Sequence, residues 1–127
     1  MEPEEVYDFW VTVYGPPQFP ASNNSARYTD YEGRITVQDY LDWSYELGLD
    51  GIVAVSPGHP DWYGRIRDEM PPVIRISGHD EADGIYLCVD RMSRRFTNHL
   101  DIWVADPYPG GTYFSAPCQA MEVELDE

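Results

Sequence analysis

The chain has 127 residues, 43% of them hydrophobic, enough for one domain with a real core and too few for two. Its 23 acids outnumber 8 basic residues, all arginine, giving a formal net charge of -15. That balance argues strongly against a DNA- or RNA-binding protein, which needs a basic footprint to displace counterions from phosphate. It also disfavours attachment to an anionic membrane surface.

The expectation is a single acidic globular domain over 1–127. Met1-Glu2-Pro3-Glu4-Glu5 has neither the basic start nor the apolar run of an export signal. No apolar stretch reaches the roughly 18 residues of a membrane span. A cytoplasmic setting follows, with Cys88 and Cys118 expected as reduced, partly buried thiols. Residues 1–50 carry net -8, residues 51–100 net -1 and residues 101–127 net -6. The negative charge therefore sits toward the two ends of the chain.

Val6 to Tyr14 reads as a strand. Tyr7, Phe9, Val11 and Val13 alternate with Asp8, Trp10, Thr12 and Tyr14, the period of a sheet with one buried face. Gly15-Pro16-Pro17 stops it, and Asn23-Asn24-Ser25 marks a loop. Thr36 to Leu47 reads as a helix, with Thr36 as cap and Gly48 as stop. Val37, Tyr40, Leu41, Ser44 and Leu47 fall on its inner face. Gly51 to Val55 is a short apolar strand, and Asp61 to Glu69 a short helix closed by Pro71-Pro72. Val73 to Ser77, Ile85 to Val89, Leu100 to Val104 and Met121 to Leu125 alternate as further strands. The predicted architecture is α+β: a mostly antiparallel sheet of five or six strands, with one main amphipathic helix at about 36–48 packed on one face.

Signatures of catalysis are thin. His59, His79 and His99 belong to no metal-binding spacing. His79-Asp80-Glu81 with Asp83 reads as a solvated hairpin tip. No serine lies in a Gly-x-Ser-x-Gly elbow, and no lysine follows Gly110-Gly111 to make a phosphate loop. Arg91, Arg94 and Arg95 form the one basic cluster, read as internal pairing in an acidic chain. The sequence thus points to no enzyme, no cofactor and no metal.

It points instead to a surface. Asp39, Asp42 and Glu46 share a helix face, and Asp50 follows directly. Glu122 and Glu124, with Asp126, share a strand face. Trp10, Trp43 and Trp103 fall beside acids, and aromatic residues anchor interfaces while acids steer a basic partner. These nine residues, Asp126 apart, are the expected partner-binding set. The expected function is a non-enzymatic intracellular inhibitor that covers the basic, nucleic-acid-binding surface of a partner protein. It would act as a nucleic-acid mimic of the anti-restriction or anti-CRISPR type, with no direct nucleic-acid or membrane contact. An immunity protein neutralising a toxin such as a nuclease predicts the same features. So does an acidic, halophilic-type domain of unrelated function.

Overall fold

Six strands pair edge to edge until no edge is left. The computed structural model describes residues 5–15, 37–58, 60–66, 68–105 and 112–125. Its strands are β1 (Tyr7–Tyr14), β2 (Gly51–Val55), β3 (Val73–Ser77), β4 (Gly84–Arg91), β5 (His99–Trp103) and β6 (Ser115–Glu122). They close in the order β1-β5-β2-β4-β3-β6. The β1/β5 and β2/β4 pairs are parallel, and the other four are antiparallel.

This corrects the predicted fold class. The molecule is a closed mixed barrel, not an open, mostly antiparallel sheet backed by a helix. Alternation tells which side of a strand is buried, but not whether the first and last edges meet. The closing strand also lies earlier than expected. β6 begins at Ser115, pairs with β1 on one side and β3 on the other, and ends at Glu122.

The inward side chains fill the barrel. Phe9, Val11, Val53, Val55, Ile74, Ile76, Cys88, Leu100, Ile102 and Cys118 are all buried in this cluster. A 3-10 helix (Asp61–Arg65) closes one mouth. Its Trp62 is only 1% exposed, stacks on Phe9 at 5.5 Å between ring centroids and meets the Tyr7 ring edge-on at 5.8 Å.

A second apolar cluster lies outside the barrel wall. The helix α1 (Val37–Glu46) packs on β2 and β4. Val37 and Leu41 cover Ile52, Leu87 and Val89, with Val123 and Leu125 alongside. The apolar face of α1 is thus its buried face, but it covers a barrel wall rather than forming half of a two-layer core. Gly48 takes a left-handed φ of +79°, which turns the chain from α1 toward β2.

One bulge matters for the outer surface. Val53 pairs with Cys88 but Ala54 pairs with Asp90, so Val89 is the extra residue. The shift brings Asp90 to the outer wall beside Ala54. There the Tyr14 hydroxyl donates to Asp90 Oδ2 at 3.1 Å. Thr36, His59, Asp126, Gly110-Gly111 and the Asn23-Asn24-Ser25 loop lie outside the described residues.

Candidate functional site

The outward face of α1 is acidic from end to end. Asp39, Asp42 and Glu46 are exposed, and Tyr45 stands among them at 56% exposure. Helical spacing makes Gln38, Asp39, Asp42, Tyr45 and Glu46 one contiguous face, because three- and four-residue steps bring side chains together. Gln38 Nε2 donates to Asp42 Oδ1 at 2.8 Å. Neither Asp42 nor Glu46 forms an ion pair with a described residue. The last helical turn holds no basic residue, and Glu46 sits there against the negative end of the helix dipole. Local helix energetics therefore do not account for this charge.

The other expected site residues divide into three groups. Trp43 is half-buried under α1, and Glu124 is exposed between Val123 and Leu125, on the side where α1 packs. Asp50 is exposed, but its Oδ2 accepts the Ile85 amide at 2.8 Å and ties the start of β2 to β4. Glu122 does not join Glu124 in a row. It turns into the barrel mouth, where Trp62 Nε1 donates to it at 3.2 Å and Arg65 at 2.8 and 2.6 Å. The Arg65 guanidinium holds the Glu122 carboxyl below the usual carboxylate range.

Trp10 lies far from α1. It projects 46% exposed from β1 between β5 and β6. In the ring of six strands α1 packs on β2 and β4, neither of which neighbours β1. Trp103 packs in the outer clusters with Tyr14, Ala54 and Met92, and its Nε1 is buried without a hydrogen-bond partner among the described residues.

The structure also assembles a polar cluster that the sequence reading passed over. The parallel register sets Trp10 beside His99, Thr12 beside Asp101 and Tyr14 beside Trp103 on the outer wall. Thr12 Oγ1 lies 2.7 Å from His99 Nε2 and donates to Asp101 Oδ1. The His99 and Asp101 side chains are only 15% and 14% exposed. Burial pushes the Asp101 carboxyl up and the His99 imidazole down from their ordinary values. Burial, with Asp90 and Asp101 nearby, raises the Tyr14 phenol well above its usual range. The alternation of His99, Asp101 and Trp103 along one strand was visible in the sequence. The placement of β1 beside that strand was not, because parallel pairing over 87 residues leaves no local mark.

Thr12 Oγ1 bridges His99 and Asp101, donating to Asp101 Oδ1 with His99 Nε2 within hydrogen-bond distance on its other side. Among the described residues no three His, Cys, Asp or Glu side chains converge to hold a metal. The acidic hairpin tip ties up its own groups: Asp83 Oδ1 accepts the Gly78 and His79 amides at 2.9 and 3.1 Å. The arginine cluster is dispersed as well. Arg91 Nε donates to the Tyr63 carbonyl at 2.8 Å, and Arg95 lies over the Phe96 ring at 5.1 Å. Cys88 and Cys118 are buried free thiols.

Among the described residues, no helix is long and apolar enough to cross a membrane. No protein-family model, curated protein or solved structure matches the chain.

Proposed function

We propose that this protein is a non-enzymatic intracellular inhibitor whose α1 face docks on the basic, nucleic-acid-binding surface of a partner protein. The observation that carries the reading is the exposed charge of Asp42 and Glu46, which pair with no base among the described residues, around the exposed Tyr45 on a helix with no base of its own. Asp39 extends the same acidic face, Trp43 supports it from beneath, and Glu124 adds an exposed acid beyond the end of β6. Carboxylates spaced along a rigid helix offer a cationic groove the charge pattern it would meet on phosphates. Steering by the net charge of -15 speeds the encounter, and Tyr45 supplies contact area that slows release. Asp50 and Glu122 act here as structural ties.

The test has two steps. The tagged chain captures partners from host lysate, identified by mass spectrometry. Association with the captured partner is then measured for the Asp39, Asp42 and Glu46 triple reversal to Arg. The control is a triple reversal of Glu69, Asp80 and Glu81, exposed acids remote from α1 in the sequence that give the same net change. Association slowed at least about tenfold by the first triple alone supports the reading, since charge at an interface acts mainly on the on-rate. Equal slowing by both triples means that only overall charge matters.

A further inference from the structure

We propose that the outer wall of β1 and β6 is an arginine-reading site, in which Trp10 and Asp8 together take one arginine side chain of a partner protein. The site is separate from α1, which packs on β2 and β4, neither of them a neighbour of β1 or β6 in the ring.

The wall is built to display one indole. Trp10 Nε1 donates to Ser115 Oγ at 2.9 Å, which holds the ring in place while leaving it 46% exposed. An exposed tryptophan fixed by a hydrogen bond offers a preorganised aromatic surface. Asp8 precedes it by two residues, so it lies on the same face at a step of about 6.7 Å. Across the antiparallel pair Pro117 stands opposite Trp10 and Gln119 opposite Asp8, and all four residues are exposed. On the other flank His99 is the register neighbour of Trp10. Its burial favours the neutral imidazole, so it adds no positive charge to the wall near neutral pH.

The charge pattern selects the occupant. Neither β1 nor β6 contains a basic residue, and the whole molecule attracts cations. Arginine matches the two features side by side. Its planar guanidinium stacks on an indole face, while its forked N–H groups meet a carboxylate; a lysine ammonium does not stack in this way. Gln119, the register partner of Asp8, brings an amide whose oxygen is an acceptor of the kind the same fork takes.

The experiment titrates N-acetyl-arginine amide into the isotope-labelled full chain near pH 7 and 0.15 M salt, following backbone and indole resonances. The expected result is saturable shifts at the Trp10 indole and at the Asp8 and Gln119 amides. Binding should weaken at least about fivefold with N-acetyl-lysine amide and about threefold in Asp8→Asn. Trp10→Phe should retain binding within about threefold, and Trp10→Ala should abolish saturation, since an aromatic face is what the cation needs. Unchanged resonances far from β1 establish that each variant is folded. Equal shifts with the lysine probe, unchanged binding in Trp10→Ala, or shifts centred on Asp42, Tyr45 and Glu46 would each overturn the proposal. The last outcome would leave the α1 reading standing. Concentration-dependent self-association that buries Trp10 would also overturn it, by assigning the wall to a second copy of the chain.

Discussion

Glu122 and Arg65, 57 residues apart, meet at the barrel mouth through two hydrogen bonds of 2.8 and 2.6 Å. Arg65 ends the 3-10 helix that closes the mouth and Glu122 ends the strand that closes the ring, so the pair ties the plug to the barrel. The side chains are 34% and 39% exposed, so water screens them. Glu122→Gln should therefore cost about 1–2 kcal/mol, well short of a fully buried pair.

The same pair sets a pH dependence. The Glu122 carboxyl is held below its ordinary value of 4.5, so the folded chain binds fewer protons there than the unfolded chain. Its stabilisation is complete above the unfolded value and fades as pH falls through the lower folded one. Urea unfolding of the wild type should lose more stability between pH 6 and pH 3 than that of Glu122→Gln. Equal losses would mean the guanidinium does not hold this carboxylate.

Asp50 and Gly84 form a second tie. A Cβ at Gly84 would lie 2.8 Å from Asp50 Oδ2 and 3.1 Å from the Tyr86 hydroxyl. Gly84→Ala should destabilise by about 1–3 kcal/mol through overpacking. Asp50→Ala should cost about 1 kcal/mol by removing the acceptor of the Ile85 amide. The double variant relieves the clash with the carboxylate, so its loss should fall short of the sum by at least about 0.5 kcal/mol. Simple additivity in a thermal double-mutant cycle would show that the two positions do not press on each other.

Local pattern revealed most elements and little of their closure. The alternation of Tyr7, Phe9, Val11 and Val13 marks the inward face of β1, and the inner face of α1 is equally plain. β2 is buried along its whole length, inside and under α1, so its apolar run carries no alternation to read. β6 begins well before the alternation of Met121 to Leu125 because Ala116 and Pro117 are poor strand formers, and Pro117 has no N–H to give a ladder. Without β6 in place, β1 and β3 look like open edges. The expected acid row at Glu122 and Glu124 failed for the same reason: Glu122 still belongs to the barrel, while Glu124 lies beyond it. Tyr7 and Phe9 face the barrel interior while Leu41 belongs to the outer cluster, so the two apolar faces meet on either side of a wall rather than in one layer.

Thr12 stands between two buried titratable groups, which makes it the most sensitive polar position on the outer wall. Thr12→Val keeps the shape but removes the hydroxyl that joins His99 and Asp101, and should cost about 1–3 kcal/mol. Thr12→Ser should recover most of that loss. Burial lowers the His99 imidazole from its ordinary 6.5, so its contribution to stability is present above that pH and is lost as pH falls below it. A nuclear magnetic resonance titration should place the His99 midpoint below 6.5. A midpoint above that value would mean that His99 and Asp101 form an ionised pair.

Glu46 separates folding from binding. It occupies the last turn of α1, where the helix dipole favours a cation, and Asp42 stands one turn earlier. Glu46→Lys reverses both effects: it complements the dipole and completes an acid-before-base pair at four-residue spacing. Together these should stabilise the protein by about 0.5–1.5 kcal/mol. For a chain of this size that raises the melting temperature by a few degrees. If α1 is the docking face, the same substitution should slow association with the basic partner at least about threefold, since it replaces an attractive charge with a repulsive one. A higher melting temperature with unchanged association would remove Glu46 from the interface. A lower melting temperature would show that Glu46 contributes to the fold through contacts beyond the helix, and would undercut the argument that its charge is there for a partner.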